Sequence, residues 1–421
     1  MDLCVEKALG GRGIPGRKKE LVQEPSARMS EHEMSEWMRD RLAQADAHRA
    51  AWLAMFEMPD AACLRRYLAA QMPAASGVAV RNLERVAYGS SREHYIFEAS
   101  WTERGQTVDK NLILLRERLI PPDMIAQVEG APAPDPMLFW IRGKGESERE
   151  FRLLKALEQT VVPAPRAWWL DTSGEWLQRP FMVQERVPGQ VSPSFTWLGL
   201  EDSAQKAAIG HQFVDILAAI HSVDWRGVGL DFLGVPAAGV CDYADAAIEA
   251  LGLRLAAYAH EWSPLLQRAL DWLRARRPRM ETVALCHGDY KTDNVMFEGG
   301  RINAILDWDF AHLGDPVEDL GWVCLGLFSA GHLCMGFLPR EELLARYESR
   351  TGRPVDRERL LFWEVFNSVR MVSFCHAMFE SSKRRLQMVA ELQLDIELPD
   401  PEPFHMSMIN RLLDDLRVTV E

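Results

Sequence analysis

Three oxygen-bearing side chains, Asp289, Asn294 and Asp307, stand close together in this 421-residue chain. Asp289 follows His287-Gly288, and Asn294 lies five residues on. Asp307 comes after two short strand-like runs, Val295–Phe297 and Ile302–Leu306, joined by the turn Gly299-Gly300. A ribbon of that kind can bring a carboxylate, an amide and a second carboxylate to one end. Phosphoryl transfer needs such a set. Mg2+ prefers hard oxygen ligands, and Asn with Asp supply them while leaving room for triphosphate oxygens. A separate Asp must orient the attacking hydroxyl and accept its proton.

These residues need elements to hold them. Residues 1–28 are rich in Gly, Pro and charge and are expected to be disordered. From Ser30 to about Ala70 the apolar marks Trp37, Leu42, Trp52, Met55, Phe56 and Leu64 predict one or two amphipathic helices that pack on a neighbour or a partner subunit. Strands are expected at Asn82–Tyr88, His94–Trp101 and Asn111–Glu117, with the tight polar turn Gly89-Ser90-Ser91-Arg92 after the first. The irregular stretch 119–145 holds five prolines, the mark of a functional or mobile loop. A helix at Glu146–Gln159 and strands at Ala167–Leu170 and Phe181–Glu185 complete a β-rich first half. The rest reads as helical, at 209–220, 265–277, 343–350, 360–379 and 406–416, interrupted by the ribbon and the short strand Thr282–Cys286.

Composition narrows the function classes. The 48 basic against 61 acidic residues give a charge of -13, which argues against a diffuse nucleic-acid binder. No apolar run approaches the ~18 residues of a membrane span. Seven scattered cysteines without a CxxC suggest neither a disulfide framework nor a zinc ribbon. The expectation is a cytoplasmic protein. Cys286-His287 and Cys375-His376 read as buried thiols, His221 as a hydrogen-bonded structural histidine, and Trp168, Trp169 and Trp272 as core.

The segment CHGDYKTDNVMFEGGRINAILDWDFAHLGDPVEDLGW resembles the signature of the aminoglycoside phosphotransferase / choline kinase-like family. The spacing D-x4-N also matches the kinase catalytic loop. The resemblance covers roughly residues 80–385. It implies an α+β, bilobal protein-kinase-like fold: a helical N-terminal extension over 1–75, a β-rich N-lobe over 76–185 and a mainly helical C-lobe over 186–421. It implies an ATP- and Mg2+-dependent small-molecule kinase, with Asp289 as catalytic base and Asn294 and Asp307 as metal ligands. Arg116 takes the position of the phosphate-contacting cation, and Glu150 that of its ion-pair partner on the helix. Glu185 and Val187, in the connector between lobes, would meet the adenine edge through their backbone. Ser90 and Ser91 would offer backbone N–H groups and hydroxyls to phosphate. Asp315 and Asp319 read as structural carboxylates that satisfy backbone donors.

Departures carry information. Only one glycine, Gly89, stands in the turn over the phosphates. Trp308 follows Asp307, so no flip-type switch is implied, and no Ala-Pro-Glu segment appears, which argues against a protein kinase. The acceptor divides into classes. A polycationic aminoglycoside would suit the acids Glu391, Asp395, Glu397, Asp400 and Glu402. LDWDFAHLGDPVEDLGWVC and FWEVFNSVRMVSFCHAM instead resemble kinase domains associated with acyl-CoA dehydrogenases, a subgroup thought to phosphorylate hydroxyacyl-CoA. An anionic CoA ligand would suit Lys383, Arg384 and Arg385. A catalytically silent nucleotide-binding scaffold is the alternative outside enzymes. The expected partner is a small-molecule hydroxyl substrate, with no nucleic acid and no membrane, and the N-terminal helices offer a surface for a homodimer.

Overall fold

The computed structural model describes residues 58–86, 92–117, 146–192, 202–236, 242–258, 264–330, 332–391 and 402–420. All of them lie in one compact unit, Met55–Glu421. Among them, no helix is long and apolar enough to cross a membrane. The expected helices before residue 58, the loop 119–145 and the acids from Asp395 to Asp400 lie outside the described residues.

Helix α1 (Ala61–Gln71) opens at Asp60, whose carboxylate accepts the Ala62 N–H at 2.8 Å. Then come β1 (Ser76–Val86), β2 (Arg92–Glu103), β3 (Gln106–Glu117), α2 (Glu146–Leu157), β4 (Ala167–Asp171) and β5 (Phe181–Glu185). The strands form one antiparallel sheet in the order β1-β2-β3-β5-β4.

Alternation along the strands decides which way each side chain turns. Tyr95, Phe97, Ala99 and Trp101 of β2 cluster with Leu112, Leu114, Phe181 and Val183, and with Leu64, Tyr67 and Leu68 of α1. Leu115 and Met182 have the opposite parity and join Leu153, Leu154 and Leu157 of α2. The sheet is therefore covered by α1 on one face and α2 on the other. The second cluster continues into the helical half through Phe213, Leu217, Trp308 and Trp363.

That half contains α3 (Ser203–Ile220), α4 (Asp242–Tyr258), α5 (Pro264–Ala275), α6 (Pro316–Val323), α7 (Arg340–Thr351), α8 (Arg357–Glu391) and α9 (Glu402–Val420). Between α5 and α6 run β6 (Ala284–Cys286), β7 (Val295–Glu298), β8 (Arg301–Ile305) and β9 (His312–Gly314), with β6 paired to β9 and β7 to β8. The β7–β8 hairpin turns at Gly299 (φ 57) and Gly300 (φ 79), left-handed conformations that suit a two-residue turn. The connector after β5 docks on this hairpin. Gln190 and Phe297 exchange backbone hydrogen bonds of 2.9 and 3.0 Å.

The fold class agrees with the expectation: a strand-rich lobe and a helical lobe of protein-kinase type. Helix α1, the end of the stretch expected to pack on a neighbour or a partner subunit, closes the outer core of the sheet, with Tyr67 edge-on to Phe181 at 4.8 Å between ring centroids. Leu64 is fully buried there. Leu64→Ala is expected to lower the unfolding free energy by ~2–5 kcal/mol. Denaturant titration checks this, and a change within ~0.5 kcal/mol would place the helix outside the core.

Candidate active site

The loop leaving β6 is held by its backbone. Asp319, in the first turn of α6, accepts the N–H groups of His287 and Gly288 at 2.7 and 2.8 Å. His221 meets the same carboxylate at 3.1 Å and the Tyr347 hydroxyl at 2.7 Å. Burial works against the Asp319 charge, but these hydrogen bonds, led by His221, hold it down at about 2. Gly288 sits at φ 79, and a Cβ there would lie 2.6 Å from the Phe310 carbonyl oxygen. Asp315 caps α6 through the Val317 N–H at 3.0 Å. The structural reading of His221, Asp315 and Asp319 thus agrees with their contacts.

Asp289 follows this anchored pair and is buried. Its Oδ2 accepts from the Lys291 ammonium at 2.5 Å and from the Asn294 amide at 3.0 Å, and the Asn294 amide also reaches the Asp289 carbonyl at 2.9 Å. Burial opposes the Lys291 charge, yet Asp289 and Asp293 push it above the ordinary lysine range. Lys291 escaped the sequence reading. A cation two residues after the acid, flanked by Asp293, was the available signal.

The hairpin returns the chain beside this group, with Leu306 donating its N–H to the Asn294 carbonyl at 2.8 Å. Asp307 follows in a left-handed conformation (φ 58, ψ 66), rare for a residue with a side chain and concentrated at functional sites. The residue stays exposed. Desolvation by the surrounding protein, and then Asp309, Asp289 and Glu150, push its carboxyl well above the ordinary range. The three residues picked out by their spacing are therefore brought together. Asn294 spends its amide nitrogen on Asp289, which leaves the amide oxygen as a ligand atom. With the Asp307 carboxylate it forms a hard, acid-rich donor set that suits a divalent cation.

The ion pair with Glu150 requires a correction. Arg116 does not make it: Arg92 does, and it meets Asp309 as well. Arg116 instead binds Glu93, with Nε at 2.9 Å and Nη2 at 2.7 Å, and Arg179 reaches the same carboxylate at 3.2 Å. Strand parity is the cause. Arg116 pairs across strands with Glu93. It shares the α1 face with Leu112 and Leu114, whereas Arg92 turns toward α2. Burial opposes the Arg92 charge while Asp309 and Glu150 push its pKa up. Burial lifts Glu150 to about 7, with Arg92 pulling it down and Asp309 pushing it up. Arg149, beside Glu150, donates to the carbonyls of Asp309 and Ala311 at 3.3 and 2.5 Å. Helix α2 is thereby tied to the Asp307 loop at two points.

Glu185 ends β5, donating its N–H to the Arg166 carbonyl at 2.8 Å, and Arg186 donates to Asn111 at 3.1 Å. From Val187 the chain leaves the sheet beside a cleft of about 390 Å³, lined by Asn111, Trp168, Val187, Pro188 and Gly189 among others. Ser90 and Ser91 lie outside the described residues. So do the side chains of Lys383, Arg384 and Arg385. Of the thiol candidates, Cys286 is buried, and its pKa is pushed well up, first by burial.

Arg92→Met would strand Glu150 and Asp309 against each other in a buried site. The expected loss of stability is ~3–5 kcal/mol. Adding Glu150→Gln should recover part of it, because one of the stranded charges goes. Denaturant curves for the single and double variants check this, and equal stabilities would mean that the three groups are not coupled.

Residues 141–363 match the phosphotransferase enzyme family. The chain is 33% identical over 183 residues to acyl-CoA dehydrogenase family member 10 of Mus musculus, covering 43% of this chain and 17% of that protein. It is 31% identical over 219 residues to family member 11 of Rattus norvegicus, covering 49% and 28%. The chain thus spans less than a third of these relatives. An aminoglycoside 3'-phosphotransferase of Streptomyces fradiae is 23% identical over 262 residues, covering 58% of this chain and 89% of that one. A solved structure from Ralstonia eutropha that carries the aminoglycoside phosphotransferase name superposes with a TM-score of 0.61 at 22% identity, over 86% of this chain and 98% of that one.

Proposed function

The chain belongs to the phosphotransferase enzyme family, and from that premise we propose that it transfers the γ-phosphoryl group of ATP to a hydroxyl of a small molecule. The observation that carries this reading is the gathering of Asp289, Lys291, Asn294 and Asp307 on one ribbon. Asp289 is the general base. Lys291 and Asn294 hold one of its oxygens, leaving the other to receive the acceptor's proton. Asn294 and Asp307 would hold Mg2+, which when bound supplies positive charge against the triphosphate and relieves the crowded carboxylates. Arg92 takes the ion-pair position with Glu150 that the resemblance had given to Arg116. The backbone of Glu185 and Val187 meets the adenine edge. A silent scaffold would have no use for a buried base held this way.

Between acceptor classes, the identities of 33% and 31% to acyl-CoA dehydrogenase family members, against 23% to the aminoglycoside enzyme, favour a hydroxyacyl thioester. Turnover of Mg-ATP with 3- and 4-hydroxyacyl-CoAs, choline-like amines and aminoglycosides separates the classes. Phosphorylation confined to aminoglycosides would reverse that preference, and no turnover with any of them would remove the kinase reading.

Asp289→Asn is expected to keep nucleotide affinity while turnover falls by ~10²–10⁴, the share of a general base. Unchanged turnover would take Asp289 out of its role. Asp307→Ala is expected to weaken Mg-nucleotide binding itself, read by titration calorimetry with and without Mg2+. Wild-type affinity in its presence would contradict the ligand assignment.

A further inference from the structure

The catalytic loop is gripped from two sides, and only one grip was visible in the sequence. Asp319 takes the N–H groups of His287 and Gly288. On the opposite side, Arg370 of α8 donates from Nη2 to the Gly288 carbonyl at 2.8 Å. Its Nη1 lies 3.2 Å from Glu318, and its guanidinium carbon sits 4.5 Å from the Trp322 ring centroid. The residue is 7% exposed. Asn367, three residues earlier on the same helix, donates to the Glu318 carbonyl at 2.9 Å. Glu318 is fixed from its other oxygen by the Tyr243 hydroxyl at 2.6 Å, with His312 at 3.4 Å. Arg370 is thus a buried cation with a fixed counter-charge, spending one donor on a single backbone carbonyl.

That carbonyl belongs to the peptide joining Gly288 to Asp289. A peptide unit is planar, so fixing its carbonyl also fixes the direction in which the Asp289 backbone, and with it the carboxylate, sets out. Gly288 gives little resistance of its own, since glycine rotates freely through its left-handed conformation at φ 79. The peptide is held inside the loop by the Asp289 N–H, which donates to His287 Nδ1 at 3.3 Å, and from outside the loop by Arg370 on its carbonyl.

We propose that Arg370 is a positioning residue that aims the Asp289 carboxylate by clamping the Gly288 carbonyl. This deepens the reading of Asp289 as the base and rests on it. The effect is expected on the chemical step, with nucleotide binding spared, because the Arg92–Glu150–Asp309 group is anchored separately.

The test compares the whole chain with Arg370→Met, which keeps bulk and loses the donors, and with Arg370→Lys, which keeps a cation. ADP formation from Mg-ATP with 3-hydroxyacyl-CoA as acceptor gives kcat and KM, and hydrogen exchange is followed on peptides spanning 284–297 and on the rest of the chain. Arg370→Met is expected to lower kcat by ~10²-fold, the scale of a misplaced catalytic group, with KM little changed. Exchange should rise in the loop peptides alone, and Arg370→Lys should recover part of both effects. Unchanged kcat and loop exchange would overturn the proposal. So would exchange raised throughout the helical lobe to the same extent in both variants, since that describes a residue that merely holds the fold. Should the wild-type chain turn over no ATP and no acceptor, the base assignment falls, and loop exchange alone decides for Arg370 in the same two directions.

Discussion

A guanidinium buried between two carboxylates joins three parts of this protein. Arg92 starts β2, Glu150 lies on α2, and Asp309 stands two residues after Asp307. Without the cation, two buried acids would face each other and push the helix from the loop. With it, helix, sheet and acid-rich loop share one electrostatic knot, and Arg149 adds bonds to two backbone carbonyls from the same helix. The site can then carry Asp289, Asp293, Asp307 and Asp309 close together, because Arg92 and Lys291 are inserted among them.

Much of the fold could be read locally. The helix at Glu146–Leu157, the strand Phe181–Glu185 and the Gly299-Gly300 hairpin follow from period and turn chemistry, and the structure keeps them. Strand β1 was misjudged for a physical reason. It lies at the sheet edge, is half exposed, carries Asn82 at φ 52 and shifts register twice against β2, so its alternation is broken. The first half of β3 is polar because that arm reaches past the core. Helix α1 was legible as amphipathic, but its partner, the sheet beginning five residues later, was not.

The site divides in the same way. Asp289, Asn294 and Asp307 lie on one ribbon, so their meeting depends on short-range geometry and was legible. The partner of Glu150 depends on which face of a strand each cation takes. The turn at Arg104-Gly105 sets the pairing of β2 with β3, and that pairing sends Arg116 to Glu93. Counting from that turn would have shown it. Arg370 lies more than eighty residues from the loop it holds. Nothing in its local sequence marks it, since helical spacing shows only that Asn367 and Arg370 share a side.

The apolar cluster under α2 does not end where the strand-rich half ends. Met182 and Leu115 belong to the same continuous interior as Phe213 and Trp363, and the connector is stitched to the β7–β8 hairpin by a pair of backbone bonds. The junction between the halves is therefore not a seam. Cutting the chain there would expose a raw apolar wound on both fragments, so the smallest portion able to stand alone includes both halves.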